Sequence, residues 1–201
     1  MPPALIVERF DIRTSTHDTR RLALEDLCSV LDLPPDAKYD GTIERIARAV
    51  RPLSTNPEAD LLLVLKRALF AWLIADGDMH LKNLALLKIA QPDARSFESV
   101  RLAPLYDAVT TVVFPGLEHD RMALKINGKD SRLRRADFLK MAATAGLTVT
   151  AANQAIEGLL SGLRAGVDAV TTPNVAGMDE EIAGKAQQML AICRERVGEF
   201  K

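Results

Sequence analysis

One apolar segment constrains the fold of this chain more than any other. Residues 61–74, LLLVLKRALFAWLI, are interrupted only by one Lys-Arg pair. Just before them, Asn56 is a favourable N-cap, Pro57 suits the first helical position, and acidic side chains follow in the first turn. The segment therefore predicts a helix that runs to about Ile74. Because it is apolar around most of its circumference, we expect this helix to be the buried axis of the domain.

Other patterns predict more helices and a few short strands. Helical patterns occur in TIERIARAV (residues 42–50), from Ser131 to Gly146, after Thr150 as an N-cap, and from about residue 179 to residue 197. The segments LALLK and SVRLAP flank a polar stretch and predict a β-hairpin. The sum is a mainly α (α+β) fold, a helical bundle with four or five short strands.

The first 35 residues contain one predicted strand and one predicted helix. Alternating residues in ALIVERFDI predict a strand at about residues 4–10. In residues 15–35, Pro34 and Pro35 close a pattern that comes near to a helical stripe. The stripe consists of Leu22, Leu24, Leu27, Cys28 and Leu31.

Composition excludes several classes of protein. With 48% hydrophobic residues, a chain of 201 residues can bury one core. A net charge of -1 gives no overall basic field for nucleic acid or an anionic membrane. The start lacks secretory features and no apolar run can span a bilayer, so we expect a cytoplasmic protein without membrane contact. Cys28 and Cys193 lack metal-ligand spacing, which predicts buried free thiols instead of a disulfide or zinc site.

The loop after the central helix carries a spacing typical of phosphate-transfer sites. In ADGDMHLKN (residues 75–83), Asp78 and Asn83 match D-x-x-x-x-N of the protein-kinase catalytic loop. There the carboxylate accepts or orients the hydroxyl proton of the substrate, and the amide oxygen binds magnesium. The same residues also fit a helix stop followed by a turn, so this spacing alone does not decide between the two interpretations.

A second acidic residue favours the chemical interpretation. Asp107, in LAPLYDAVTT, follows Asn83 by twenty-four residues, beyond the predicted hairpin. A kinase places its second magnesium carboxylate at this point, and Mg²⁺ takes one or two carboxylates plus phosphates and waters. The HRD and DFG motifs of ordinary protein kinases are absent, which excludes a typical member of that class.

Five stretches together resemble a known family. They are VERFD, LEDLCSVLDLPPDAKYD, LIADGDMHLKNLALL, LAPLYDAVTT and MALKINGK. In this order they resemble the C-terminal domain of HipA-like serine/threonine kinases, the toxins of bacterial toxin-antitoxin pairs. The resemblance covers nearly the whole chain and implies a protein-kinase-like C-lobe that uses ATP and Mg²⁺. It implies Asp78 as the catalytic aspartate, His80 beside the phosphates, and Asn83 and Asp107 as magnesium ligands.

The same resemblance assigns the nucleotide side of the site. VERFD is similar to a kinase hinge, which places Glu8, Arg9 and Phe10 at the nucleotide, and Lys82 joins this cofactor-binding set. Kinases of the family carry an N-terminal lobe before the hinge, with a phosphate-covering loop and a lysine. Neither feature precedes Val7, so we expect residues 1–201 to be a C-lobe domain with half of an ATP cleft.

Asp76 and His80 also allow structural interpretations. Asp76 precedes a glycine and fits a residue that caps or braces the turn. His80 fits a hydrogen-bonding brace as well as an acid or base. A calcium loop is disfavoured, because starting it at Asp76 puts Leu87 where a bidentate glutamate is needed.

The resemblance leaves three hypotheses for activity. The chain is an excised kinase C-lobe that is inactive alone, one half of a split kinase, or a non-enzymatic remnant that binds an antitoxin or a substrate. By analogy with relatives, the protein substrate is an aminoacyl-tRNA synthetase. A further partner is an antitoxin or a separate N-lobe chain, and DNA is contacted only through an antitoxin.

A cluster of basic residues is relevant to contact with DNA. Arg132, Arg134 and Arg135 follow Lys125 and Lys129. The cluster fits either a surface that faces operator DNA beside an antitoxin or an ordinary solvated helix face.

Overall fold

The structure of the chain is a computed structural model that describes residues 6–14, 19–170 and 180–200. Its helices are α1 (Leu27–Val30), α2 (Ile43–Leu53), α3 (Pro57–Leu73), α4 (Arg135–Thr144), α5 (Val149–Ala169) and α6 (Glu180–Glu199). Its strands are β1 (Ile12–Thr14), β2 (Thr19–Arg21), β3 (Ala23–Asp26), β4 (Ala85–Ile89) and β5 (Ser99–Leu102). This is the α+β composition that the sequence predicted.

Helix α3 forms the centre of the core. Leu65 and Leu69 are 0% exposed, and α2, α4, α5 and α6 all pack against this helix. Pro57 is its first residue, and the Asn56 side chain accepts a hydrogen bond from the Ala59 N–H at 3.4 Å. The predicted helix and its buried position are therefore confirmed.

The acidic residue Asp60 connects the start of α3 to a sheet. Its side chain is fully buried, and its two oxygens accept hydrogen bonds from Arg101 of β5 at 3.1 Å and from the Ser54 hydroxyl at 2.5 Å. A buried carboxylate is tolerated only when it is paired in this way. Asp60 therefore does more than interact with the helix dipole.

Two antiparallel sheets are present among the described residues. Strands β1 and β2 form a ribbon, and a second sheet has the order β3-β4-β5. Its register pairs Leu24 with Leu87, and Leu87 with Arg101. The predicted β4-β5 hairpin is confirmed, and it places Asn83 just before β4 and Asp107 shortly after β5.

The structure corrects both predictions near the start of the chain. Residues 6–9 form no strand, residues 10 and 11 lie in a turn, and β1 starts at Ile12; residues 4 and 5 lie outside the described ranges. The helix predicted within residues 15–35 is replaced by β2, β3 and the short α1. The reason is non-local, because Leu24 pairs with β4, and that packing overrides a local helical pattern.

The C-terminal helices agree with prediction apart from their ends. Gly146 follows α4 with φ of 77°, and α5 is capped by Thr148 instead of Thr150, through a bond from the Ala151 N–H at 3.2 Å. Helix α6 is described from Glu180, so its predicted start at residue 179 lies outside the described residues. Among the described residues, no helix has the length and apolarity needed to cross a membrane.

Two further predictions concern side chains. Cys28 and Cys193 are buried free thiols, as predicted. In the basic cluster, Lys129 pairs with Asp137 at 2.7 Å and Arg135 pairs with Glu157 at 2.5 Å. These ion pairs within the domain favour the interpretation as a helix face.

Candidate active site

The loop of residues 75–83 starts from a defined helix end. At the end of α3, Ala75 takes φ of 57°, a left-handed conformation that is usually occupied by glycine. The Asp76 N–H donates to the Ala71 carbonyl at 2.8 Å, and the Ala75 N–H donates to the Trp72 carbonyl at 3.2 Å. These two bonds form a Schellman motif, so the loop leaves the core in one direction.

Asp76 joins the two segments that carry the candidate site residues. Its carboxylate accepts hydrogen bonds from the Asp78 N–H at 3.0 Å and from the Val109 N–H at 3.5 Å. The residue is buried, and burial raises the pKa of Asp76 to about 6 although these donors oppose the shift. Asp76 therefore acts as a brace, the structural role that its position before glycine suggested.

Gly77 allows a close approach inside the loop. Its N–H donates to the Thr111 hydroxyl at 3.0 Å, and the Thr111 N–H donates to the Ala75 carbonyl at 3.1 Å. A Cβ on Gly77 would lie 2.0 Å from an Asp120 carboxylate oxygen and 2.7 Å from the Thr111 hydroxyl. A side chain at this position would require the Asp120 side chain to move and would crowd the Thr111 hydroxyl.

The two predicted magnesium ligands are in direct contact. The Asn83 amide oxygen accepts a hydrogen bond from the His80 N–H at 2.8 Å, and the Asn83 amide nitrogen donates to Asp107 Oδ2 at 2.8 Å. Asp107 itself has φ of 57°, which aspartate tolerates better than most residues. Residues twenty-four apart in sequence thus meet because the hairpin returns the chain to the loop.

His80 is a buried side chain of the same loop. Burial lowers the pKa of its imidazole and Lys38 adds to this effect, while the carboxylates of Asp78 and Asp107 oppose it. Its Nδ1 atom is buried and has no hydrogen-bond partner within the described part of the chain. The main-chain N–H of His80 orients Asn83, which favours the interpretation as a brace.

Asp78 is held by a residue that sequence reasoning missed. The Tyr39 hydroxyl donates to Asp78 Oδ1 at 2.6 Å. Tyr39 lies before α2, thirty-nine residues from Asp78, and no local spacing links them. Only the family stretch that ends in KYD contained a signal, and it carried no role for the tyrosine.

An open groove of about 640 Å³ is lined by the residues predicted to bind the nucleotide. The predicted residues that line it are Glu8, Arg9, Phe10, Lys82 and Asp107. We call it the Phe10 groove. The Phe10 ring lies 5.7 Å from the ring of Tyr106, whose hydroxyl donates to the Lys82 carbonyl at 2.7 Å.

The Phe10 groove differs from the predicted hinge in one respect. The Arg9 guanidinium is paired with Asp11 through two hydrogen bonds, of 2.8 Å and 2.5 Å. Residues 6–9 form no strand, so no sheet uses their main-chain groups, although the Arg9 carbonyl accepts a hydrogen bond from the Ile12 N–H at 3.4 Å. This leaves backbone donors and acceptors for a ligand.

A second groove, also of about 640 Å³, is lined by Asp78. Tyr39 and Asp78 form part of its wall, and Phe114, Leu117 and Met122 supply apolar surface. We call it the Tyr39 groove. It shares no lining residue with the Phe10 groove, but residues of the same loop line both, Asp78 here and Lys82 there.

Asn83 and Asp107 fit a magnesium ion that depends on nucleotide phosphates. Within the described ranges, no three His, Cys, Asp or Glu side chains cluster as a complete metal site. Mg²⁺ in such sites needs only one or two carboxylates besides phosphate and water oxygens. The Asn83 amide oxygen has a second lone pair beyond the His80 bond, and Asp107 has a second oxygen beyond the Asn83 bond.

Comparison with known sequences identifies relatives that are called kinases. The family profile of the HipA-like C-terminal domain matches residues 2–167. Two proteins of Sinorhizobium fredii are each 34% identical to this chain. The match to putative kinase Y4mE covers 67% of this chain and 31% of that protein, and the match to putative kinase Y4dM covers 72% and 33%. The chain thus spans about a third of the length of these relatives.

Solved structures agree on the fold. The HipA, HipB and operator DNA complex of the Shewanella oneidensis toxin-antitoxin system contains a chain with a TM-score of 0.76 and 19% identity. That match covers 96% of this chain and 47% of the other. The proinflammatory kinase CtkA of Helicobacter pylori matches with a TM-score of 0.50 and 13% identity, over 92% of this chain and 72% of its own. With a kinase-like α+β fold and a profile match over most of its length, this chain belongs to the HipA-like C-terminal domain family.

Proposed function

We propose that this chain is the C-lobe of a HipA-like serine/threonine kinase, with residues 1–201 as one domain. It transfers the γ-phosphate of ATP to a protein hydroxyl when a second lobe completes the cleft. One observation carries the proposal: the 2.8 Å hydrogen bond that joins the two predicted metal ligands, Asn83 and Asp107, of which Asp107 lines the Phe10 groove.

The proposed roles follow from position and chemistry. Asp78 accepts or orients the proton of the acceptor hydroxyl, because its carboxylate lines the open Tyr39 groove. Asn83 and Asp107 hold Mg²⁺, which when bound neutralises charge on the phosphates. His80 supports Asn83 through its main chain and stays uncharged. Because the Asp76 brace connects both segments, these groups keep their relative positions.

The nucleotide occupies the Phe10 groove in this proposal. The Phe10 ring provides an apolar face for the adenine, and the main chain at Glu8 and Arg9, which belongs to no strand, provides hydrogen bonds. Lys82, in the wall of the same groove, attracts the phosphates. The glycine-rich loop and the phosphate-binding lysine come from an N-terminal lobe, in a longer protein or in a separate chain.

The partners are proposed from the relatives. A complex of HipA with HipB and operator DNA supports an antitoxin as a partner, with DNA contacted through it. The acceptor is a protein hydroxyl, and an aminoacyl-tRNA synthetase is the proposed substrate class by analogy. The alternative is an inactive remnant that binds an antitoxin or a substrate without transferring phosphate.

Reconstitution tests the proposal. The chain is mixed with the N-terminal lobe of a relative, ATP and Mg²⁺, and phosphate transfer to protein is measured. We expect transfer only when both parts are present, and we expect Asp78→Asn to lower it by roughly 10²–10⁴-fold. The matched control is Asp168→Asn, because Asp168 is 76% exposed and pairs with Arg194 at the surface. Transfer that does not depend on Asp78 contradicts the proposal, and absence of transfer with a complementary lobe favours the binding remnant.

A further inference from the structure

Tyr39 contacts the catalytic loop through its hydroxyl and through its ring. Besides the 2.6 Å hydrogen bond to Asp78, its ring meets the His80 ring edge-on, with centroids 5.2 Å apart. Lys38 Nζ lies 4.7 Å from the centre of the Tyr39 ring. The Lys38 carbonyl accepts a hydrogen bond from the Leu81 N–H at 3.0 Å, so the main chain beside Tyr39 is also tied to the loop.

We propose that Tyr39 is a positioning residue that orients the Asp78 carboxylate for the acceptor hydroxyl. This inference rests on the proposed phosphotransfer function. The Tyr39 hydroxyl occupies Oδ1, which leaves Oδ2 of Asp78 to accept the hydrogen bond of the acceptor. A carboxylate that is held in one rotamer meets the acceptor in a productive geometry, and a freely rotating one does so only part of the time.

The location of Tyr39 determines which substrate it affects. Tyr39 lines the groove that Asp78 shares with Phe114 and Leu117, and it is absent from the wall of the Phe10 groove. The acceptor therefore approaches past Tyr39, and the nucleotide does not. We expect loss of the Tyr39 hydroxyl to reduce turnover without weakening ATP binding.

The Tyr39 hydroxyl stays protonated because it is bonded to the Asp78 carboxylate. The hydrogen bond to the Asp78 carboxylate raises the pKa of the Tyr39 hydroxyl, and burial adds to this, while Lys38 opposes it. The hydroxyl therefore stays protonated at neutral pH and continues to donate to Asp78.

A titration tests the contact without any need for catalysis. The chain has two tyrosines, so Tyr106→Phe leaves Tyr39 as the one phenol that ionises. The near-ultraviolet absorbance of tyrosinate is followed against pH, with folding checked by circular dichroism at each point. Adding Asp78→Asn to this background should lower the pKa of Tyr39, while adding Asp168→Asn should not. Identical titrations with and without Asp78→Asn would overturn the inference.

The reconstituted transfer reaction tests the role. Tyr39→Phe keeps the ring against His80 and removes only the O–H. We expect kcat to fall about tenfold to a hundredfold, less than for Asp78→Asn, with the KM for ATP unchanged. An unchanged kcat, or a loss that appears only in the KM for ATP, contradicts the positioning role. Phosphate recovered on Tyr39 itself would show that Tyr39 is an acceptor and would also overturn the proposal.

The two experiments fail in different ways. If the wild-type chain transfers no phosphate even with a complementary N-terminal lobe, the proposed function is refuted together with the role of Tyr39 in transfer. The titration then still reports whether Tyr39 and Asp78 are bonded. If transfer occurs but the titration shows no coupling, the proposed function stands and only the inference about Tyr39 is lost.

Discussion

The buried carboxylate of Asp76 should make the stability of the domain depend on pH. Asp76 is 3% exposed, and burial raises its pKa from 3.8 to about 6. Because the folded-state pKa is the higher one, folding favours the protonated acid. The associated stability is therefore complete below the unfolded pKa of 3.8 and is lost as the pH rises through about 6.

The expected magnitude follows from these two values. The reference is a pH at which Asp76 is protonated in both the folded and the unfolded state. Relative to this reference, ionisation of Asp76 lowers the free energy of unfolding by about 3 kcal/mol at about pH 8 and by about 1.6 kcal/mol at about pH 5. The substitution Asp76→Asn removes this ionisation. It also weakens the bonds to the Asp78 and Val109 N–H groups, but that loss is the same at both pH values. The stability difference between wild type and variant should therefore change by about 1.4 kcal/mol, with the wild type losing more at high pH.

Urea unfolding at the two pH values measures this change directly. Wild type, Asp76→Asn and the surface control Asp168→Asn are compared at constant ionic strength, so that contributions from other carboxylates cancel in each difference. Asp168→Asn removes a carboxylate that is 76% exposed and so serves as the surface comparison. A difference for Asp76→Asn that is equal at both pH values, within about 0.3 kcal/mol, would refute the reasoning that burial of Asp76 controls its ionisation.

Three further predictions concern stability. Leu69→Ala should lower the free energy of unfolding in urea by about 2–5 kcal/mol, because Leu69 is fully buried. Leu53→Ala should lower it by less than about 1 kcal/mol, because Leu53 is 46% exposed. Equal losses would show that α3 is misplaced. Gly77→Ala should lower the free energy of unfolding by about 1–3 kcal/mol through overpacking. Adding Asp120→Ala should restore part of that loss, since the Asp120 side chain is the nearest obstacle. Effects of the two substitutions on stability that simply add would contradict this. Ala75→Gly should raise the free energy of unfolding by up to about 1 kcal/mol, because it relieves a left-handed alanine; marked destabilisation would show that this conformation is not strained.

The sequence predicted the parts of the fold that local signals determine. Helix α3 has its cap, its first proline and its apolar surface within one segment, and all three appear in the structure. The hairpin behaves similarly, and it brings Asn83 to Asp107. Errors occurred where distant pairing decides the outcome. Leu24 was placed on a helical stripe because its partner in β4, Leu87, lies far along the chain.

The same distinction applies to the candidate site. The spacing of Asp78 and Asn83 is a local signal, and it identified the loop. The hydrogen bond from Tyr39 to Asp78 joins residues thirty-nine positions apart, and no local sequence pattern predicts it. The brace formed by Asp76 was inferable as turn chemistry, but its second bond, to Val109, was not.

The central claim is that Asn83 and Asp107 hold the metal of a nucleotide in the Phe10 groove. The most direct measurement is a crystal structure of the chain soaked with Mn²⁺, in place of Mg²⁺, and a non-hydrolysable ATP analogue. We predict an anomalous Mn²⁺ peak within roughly 2–2.5 Å of the Asn83 amide oxygen and an Asp107 carboxylate oxygen, with adenine against Phe10. Metal and nucleotide ordered elsewhere on the chain, with Asn83 and Asp107 bonded only to each other, would contradict the account.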